Sequence, residues 1–285
     1  MGGLGDEHGS AKVLVMPEGM DMSVSAQGLA SADSPPAAQQ LRLENVGKAY
    51  GGVRALKPTT TTFRQGLVGI VGDNGAGKST LMKILSGVIA PDEGEIWLND
   101  KKVEFSSPIA AKRAGVESLY QELALAETLD VTSNIFLGRE LTRRVLGLRI
   151  LKHREMAASA RVTLTQVQIN IPDVTAMVRS LSGGQRQAVA LARAIHFNAP
   201  VVLLDEPTAA LGPRETASVN GIIEHLKEQG KLVIMVTHNI PQIITMATQI
   251  VVMRAGRIVW EVDPRQTTEE ELMSYMVGTR ARGNG

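Results

Sequence analysis

The chain has 285 residues, 44% of them hydrophobic, and a formal net charge of +1. That is enough apolar material for a sizeable core, and it leaves no global field to draw the chain to nucleic acid or a membrane surface. With no cysteine, 3% aromatic residues and no long apolar run, the composition excludes disulfides and thiolate metal sites, argues against a base-stacking surface and provides no membrane-spanning helix.

Residues 1–40 are rich in Gly, Ser, Ala, Pro and Met and show no period, which predicts a mobile tail. Its early acids and lack of an apolar segment predict no signal peptide. Residues 41–46 alternate as a strand does. After Tyr50-Gly51-Gly52 come residues 53–56, then Pro58 at the head of the Thr-rich run 59–63, which suits an edge strand. Gly66 leads into residues 67–71, a short apolar run of the kind buried on both faces of a sheet.

Gly72, Asp73, Asn74, Gly75, Ala76, Gly77, Lys78 and Ser79 then fit G-x-x-x-x-G-K-[ST]. Thr80 follows, and Leu81, Ile84 and Leu85 mark one face of a helix that Gly87 stops. The strand before and the helix after supply the context this motif requires. The glycines let the backbone turn tightly and approach a ligand, while amide N–H groups and the helix N-terminus face phosphates. Lys78 reaches the β- and γ-phosphates and the Ser79 hydroxyl binds Mg²⁺, so the stretch points to nucleotide binding.

Residues 91–94 form a turn, and residues 95–98 and 102–105 read as a hairpin around Asn99-Asp100. Ser107-Pro108 opens a helix through Ala114, and residues 116–120 are a strand with Gln121 at its end. Residues 122–180 read as helical with a basic middle. From Arg139 to Arg161, seven basic side chains face two acidic ones, a net +5. A solvated helical face is the plain reading of that segment, and proximity to anionic lipid headgroups is the alternative. Phe136, Leu137, Leu141 and Leu146 in it have no evident core partner.

Ser182, with Gln185 three residues on, predicts a capping box opening a helix whose buried face is Ala188, Leu191, Ala192 and Ile195. Residues 201–204 are a buried strand ending in Asp205 and Glu206, and a helix follows through Leu226. Phosphoryl transfer needs neutralised oxygens and an in-line water, which suits a metal-binding acid beside a basic carboxylate. Residues 232–237 form the next strand, with His238 just beyond it. Residues 250–253 and 258–262 form a hairpin around Ala255-Gly256, and Thr268 with Glu271 caps a last helix stopping near Gly278. Strands alternating with helices imply an α/β fold with a parallel sheet. His8, His153, His196 and His225 lack ligand spacing and are expected to be structural or exposed.

Leu181-Ser182-Gly183-Gly184-Gln185, lying after the phosphate loop and before the Asp205-Glu206 strand, resembles the signature of the ATP-binding cassettes of ABC transporters, and the resemblance covers nearly the whole chain apart from its tails. It implies a P-loop NTPase (RecA-like) core with an antiparallel β subdomain and an inserted α-helical subdomain at about 122–185. The domain would span 41–278, between tails 1–40 and 279–285, and would bind ATP and Mg²⁺. By position, Tyr50 resembles the aromatic that stacks on adenine. Gln121 resembles the residue linking the Mg²⁺ site to the helical insert, Asp205 the Mg²⁺-binding acid, Glu206 the general base and His238 the histidine that contacts the γ-phosphate. Ser182, Gly183, Gly184 and Gln185 resemble the segment that closes over a second cassette's nucleotide, which implies a head-to-tail homodimer with two shared sites.

Two positions depart from the family pattern: Asp73 where many cassettes have Pro, and Gly212 where many have Asp, in a loop at the dimer seam. Residues 120–123, 134–140 and 208–212 look like those of monosaccharide importers of the ribose, xylose and fructose type. The resemblance therefore implies an ATPase on the cytoplasmic face of the plasma membrane. Its partners would be a transmembrane permease, with a helix of which the insert near Gln121 would engage, and indirectly a periplasmic or extracellular sugar-binding protein. The alternatives are a soluble cassette ATPase acting on nucleic acid or ribosomes, for which the sequence has neither paired cassettes nor heptads, and a non-hydrolysing interaction module, against which Glu206 and His238 stand.

Overall fold

The computed structural model describes residues 39–119, 125–145, 148–166, 171–209 and 211–279. Gln40–Tyr50 (β1) and Val53–Arg64 (β2) pair antiparallel and bury Leu41, Leu43, Leu56 and Phe63. The segments expected at 53–56 and 59–63 are one strand. Pro58 is tolerated inside it because β2 is the edge of its sheet. Gly66–Gly72 (β3) leads into the phosphate loop and Lys78–Leu85 (α1), whose buried face is Leu81, Met82, Ile84 and Leu85. Gly87, at φ 73°, ends α1: its N–H and that of Val88 donate to the Ile84 and Lys83 carbonyls. Glu93–Leu98 (β4) and Lys101–Val103 (β5) form the expected hairpin, and Ser107 caps Pro108–Arg113 (α2) ahead of Val116–Leu119 (β6).

Next come Val131–Phe136 (α3), Thr142–Val145 (β7), Leu148–Leu151 (β8) and His153–Gln166 (α4), then Gly183–His196 (α5). The basic middle of this insert, expected to be helical, contains an antiparallel two-stranded ribbon, β7–β8. Gly138, at φ 79°, ends the preceding helical stretch, and the β-branched Thr142, Val145 and Ile150 favour strand over helix. Val201–Asp205 (β9), Pro213–Glu228 (α6), Leu232–Val236 (β10), Ile240–Met246 (α7), Gln249–Arg254 (β11), Arg257–Val262 (β12) and Glu269–Val277 (α8) complete the fold. α7 was not expected from the sequence. Its signal is Asn239, whose side chain accepts from the Gln242 N–H, followed by Pro241 in the first turn.

One sheet has the order β2-β1-β4-β5, all antiparallel. The other is β12-β11-β3-β10-β9-β6, parallel throughout except for β12. Alternation along β3 sends Leu67 and Val71 into a core shared with the insert, α5, α6 and α7. It sends Val68 and Ile70 into a second core shared with the antiparallel sheet and α1.

The insert is tied to the edge of the parallel sheet by buried polar groups. The fully buried Asn134 side chain donates to the carbonyls of Ala126 (3.0 Å) and Asp130 (2.9 Å) and accepts from the Ala126 N–H (2.8 Å). Arg193 of α5, its pKa lowered by burial, donates to the Asn134 carbonyl at 2.8 Å. Glu117 of β6, also buried, lies 3.7 Å from Arg139, and Lys112 Nζ stands 3.2 Å from its other oxygen. Phe136, expected to lack a core partner, is instead buried, with its ring against His196 (4.4 Å) and Phe197 (5.9 Å). The amphipathic period of α3 is too short to show this from sequence. Leu137 and Leu141 are exposed, and Leu146 lies outside the described residues.

Asn134→Ala leaves the Ala126 N–H without its acceptor, while the carbonyls of Ala126 and Asp130 keep the backbone N–H groups of Leu129 and Asn134. An orphaned group of this kind costs about 1–3 kcal/mol, so the variant is expected to lose about 2 kcal/mol in denaturant unfolding. A loss below about 1 kcal/mol would mean that water or a neighbour replaces that bond.

Candidate functional site

In a parallel sheet the strand register decides which loops become neighbours. Val236 of β10 pairs with Ile70 of β3 on one side and Asp205 of β9 on the other. The loops leaving β3, β9 and β10 therefore emerge side by side at the carboxyl end of the sheet, where α/β folds bind ligands. These loops carry Gly72 to Lys78, Asp205-Glu206 and Thr237-His238 respectively.

The phosphate loop is held from below. The Gly256 N–H in the β11–β12 turn donates to the Ala76 carbonyl (3.0 Å), and the Lys57 N–H of β2 donates to the Gly256 carbonyl (2.8 Å). Gly77 caps α1 at φ 100°, and a Cβ there would stand 2.7 Å from the Ala55 carbonyl oxygen, so only glycine fits. Around Gly75, at φ 77°, a Cβ would meet nothing within 4 Å, which leaves the loop open to an incoming group. Ala76 N–H donates to the Asp73 carbonyl (3.1 Å), and Asn74 N–H to the Asp73 carboxylate (2.7 Å).

Lys78 Nζ bridges the carbonyls of Gly72 (2.6 Å) and Asp73 (2.9 Å). Burial lowers its pKa, opposed by the negative charges of Glu206, Asp73 and Asp205. Ser79 is exposed and Thr80 half-buried on the first turn of α1, which contains no acid. This is a site for an anion: a cation, a helix N-terminus and unobstructed backbone at one opening.

Asp205 has its pKa raised by burial and then by Glu206, with Lys78 and Lys83 pulling the other way. Glu206 adopts a left-handed backbone, φ 51°, rare outside glycine and asparagine, and its N–H donates to the Val236 carbonyl (2.9 Å). That conformation turns its carboxylate toward His238, whose Nδ1 lies 2.9 Å from Oε2; the Glu206 side chain is 18% exposed and the imidazole 79%. The adjacent Thr237 is buried; its N–H donates to the Ile70 carbonyl (3.4 Å), and its hydroxyl accepts from the Asn239 N–H (3.0 Å). Paired carboxylates and a hydroxyl are hard oxygen donors that suit Mg²⁺, which takes one or two carboxylates and fills its shell with water and phosphate oxygens. Among the described residues no three His, Asp or Glu cluster to form a complete metal cage.

The remaining expected site residues lie on other elements. Tyr50 is exposed at the end of β1. Gln121 lies outside the described residues. Ser182 caps α5 with both arms of the expected box: its hydroxyl accepts from the Gln185 N–H (3.2 Å), and its own N–H donates to the Gln185 side chain (3.0 Å). Ser182 and Gly183 are exposed. Gly184 is buried, and a Cβ there would collide with Glu215 of α6, so its glycine answers to packing between two helices. The strap through Lys57 and Gly256 was missed from sequence, where Ala255-Gly256 reads only as a hairpin turn.

Residues 56–209 match the family model described as ABC transporter. The chain is 42% identical over 237 residues to a xylose/arabinose import ATP-binding protein of Sulfolobus acidocaldarius, covering 83% of this chain and 93% of that one. It is 39% identical over 238 residues to a fructose import ATP-binding protein of Rhizobium meliloti, covering 82% and 92%. A ribose import ATP-binding protein of Rhizobium johnstonii is 38% identical over 239 residues, covering 84% of this chain and 46% of that protein. Among solved structures, a dimeric post-hydrolysis ATP-binding cassette bound to ADP and Pi superposes with a TM-score of 0.68 at 27% identity, covering 80% and 100%. A nucleotide-free cassette superposes with a TM-score of 0.71 at 23% identity, covering 84% and 95%.

Because burial and Glu206 raise the Asp205 pKa above the ordinary carboxylate range, the ionised carboxylate destabilises the fold at neutral pH. That penalty vanishes below the unfolded-state value and grows as pH rises through the folded one. Asp205→Asn is therefore expected to melt higher than wild type at about pH 7, with the gap closing toward about pH 4. Thermal scans of the two proteins check it, and a lower Tm for the variant at neutral pH would contradict it.

Proposed function

The chain belongs to the ABC transporter family, and we propose that it is the ATP-hydrolysing subunit of a monosaccharide importer, working as a head-to-tail homodimer beneath a membrane permease. The observation that carries this reading is the meeting of the Lys78 loop with Asp205, Glu206 and His238 at one end of the parallel sheet. The sugar class is supported by the relatives named for import of xylose or arabinose, fructose and ribose, and dimerisation by the dimeric cassette bound to ADP and Pi.

The roles follow from each group's surroundings. ATP is the substrate. The amides of residues 72–80 and the Lys78 ammonium receive its β- and γ-phosphates; Lys78 exchanges the two loop carbonyls for phosphate oxygens without leaving the loop. Ser79, Asp205 and, by family resemblance, Gln121 would hold Mg²⁺, which would supply charge neutralisation to the phosphate oxygens. Glu206 accepts a proton from the attacking water, and its own position is held by the Val236 carbonyl and by His238. His238 is exposed enough to exchange its bond with Glu206 for one to the γ-phosphate. Tyr50 stacks on adenine. Ser182, Gly183, Gly184 and Gln185 of each chain close over the nucleotide of the other, where the helix N-terminus of α5 meets phosphate.

In this reading the domain runs over residues 41–278 and sits peripherally on the cytoplasmic face of the plasma membrane. No helix among the described residues is long and apolar enough to cross a membrane, so the passage for sugar belongs to the permease. An extracytoplasmic sugar-binding protein would deliver the substrate. Leu137 and Leu141, exposed on the insert, are the apolar residues offered to a permease helix.

Lys78→Ala is expected to weaken ATP binding and abolish hydrolysis. Glu206→Gln keeps size and hydrogen bonding but removes the base, so turnover should fall about 10²–10⁴-fold while Mg-ATP binding survives. The uncleaved nucleotide should then trap a dimer holding two ATP, and Ser182→Arg added to it should prevent the trap. Light scattering after size exclusion, with and without Mg-ATP, reads the outcome. A Glu206→Gln transporter that turns over ATP at the wild-type rate would remove Glu206 from the base role.

A further inference from the structure

The ribbon β7–β8 has features that ATP chemistry does not use. Its strands pair Thr142 with Leu151, Arg143 with Ile150, Arg144 with Arg149 and Val145 with Leu148. All eight residues are exposed, Leu148 at 70%, and neither strand packs substantially on any other named element. An isolated two-stranded ribbon is marginal in water. This one also sets Arg144 directly opposite Arg149, a like-charge pair that destabilises a hairpin.

Composition sharpens the point. Residues 141–154 contain Arg143, Arg144, Arg149, Lys152 and Arg154 and no acid. Among the described residues the four arginines form no ion pair, and Lys152 is paired with Glu155 at 2.9 Å, just outside the segment. Alternation gives the ribbon two faces: Val145, Leu148 and Ile150 share one with Arg143, and the Arg144–Arg149 pair lies on the other. A net charge of +1 for the whole chain makes this segment a local concentration of charge rather than part of a basic protein.

We propose that the β7–β8 ribbon binds the anionic headgroup layer of a lipid bilayer. Val145 and Leu148 enter the headgroup–acyl boundary, and Arg144 and Arg149 share lipid phosphates. Charge complementarity selects an anionic partner. The exposed apolar end selects one with hydrocarbon directly beneath its charges, which a bilayer has and a soluble polyanion lacks. A phosphate between Arg144 and Arg149 turns their repulsion into bidentate attraction, so the ribbon is more stable on the membrane than off it. Arg143 on the apolar face extends its guanidinium to the interface while its methylenes stay with Val145 and Ile150. This goes beyond the importer reading, and permease-free vesicles test it separately: the chain remains an ATPase whether or not the ribbon binds lipid.

The test is sedimentation of the full chain with vesicles of phosphatidylcholine alone and of equal parts phosphatidylcholine and phosphatidylglycerol, at low and physiological salt. Wild type is expected to sediment with the mixed vesicles only, and less at the higher salt. Each basic residue near an anionic leaflet contributes roughly five-fold in partitioning, so Arg144→Gln/Arg149→Gln should lose roughly thirty-fold. Val145→Ser/Leu148→Ser should also lose binding although its charge is unchanged. ATP affinity at the wild-type level, which rests on the Lys78 loop, verifies that each variant is folded. Equal sedimentation with both vesicle types, or an arginine variant that binds as wild type does, overturns the proposal. So does a serine variant with undiminished binding that heparin displaces, because that pattern belongs to a soluble polyanion.

Discussion

Charge balance at the carboxyl end of the parallel sheet is the constraint on which the site depends. Glu206 lies close enough to Lys78 and Asp205 to act on their ionisation, and burial disfavours the charged form of both Lys78 and Asp205. The protein places two carboxylates next to each other at the end of a buried strand, a costly arrangement without cations. It offsets part of the cost with Lys78, and in the proposed function a cation arriving with ATP would offset the rest. On that proposal, a site tense in this way would gain more from binding Mg-ATP than a neutral one, because the ligand would relieve repulsion as well as add contacts.

The rest of the architecture holds that balance in place. β3 is flanked by β10 and β11, so the loop it feeds cannot shift along the sheet without breaking two ladders. The β11–β12 turn grips Ala76 from one side and β2 from the other, which couples the antiparallel sheet to the phosphate loop through Gly256. On the far edge, the Asn134–Arg193 bonds fix α3 to α5, and Glu117 sets a buried negative charge beneath Arg139 and Lys112. The helix that Ser182 opens is therefore fixed to a firmly built insert; Gln121 lies outside the described residues.

Much of this is legible in the sequence wherever a local pattern has one physical solution. The phosphate loop, the Ser182–Gln185 box and the Thr268 cap are of that kind, because spacing alone fixes the hydrogen bonds. Gly87 and Gly278 were readable as helix stops for the same reason, and both have positive φ. What could not be read depends on partners far away in the chain. Phe136 looks unpartnered until α5 brings His196 and Phe197 against it. The left-handed backbone of Glu206 has no signal in Asp205-Glu206-Pro207. Arg143, Arg144 and Arg149 are ordinary helix formers, and they obscure the strand preference of Thr142, Val145 and Ile150 until the register of β7 with β8 is seen.

Gly212 shows how a departure from a family pattern acquires a local reason. It is the N-cap of α6 with an extended backbone, φ −71° and ψ 170°, which any residue adopts, so its glycine is not there for conformational freedom. Its neighbour explains it. A Cβ at 212 would stand 2.7 Å from the Glu215 carboxylate, and the same side chain abuts Gly184 at the start of α5. Glu215 lies in the first turn of α6, where an acid is stabilised by the helix dipole. An aspartate at 212 would put a second carboxylate against it unless the Glu215 side chain turned aside. Gly184 keeps the space that Glu215 needs where α5 meets α6.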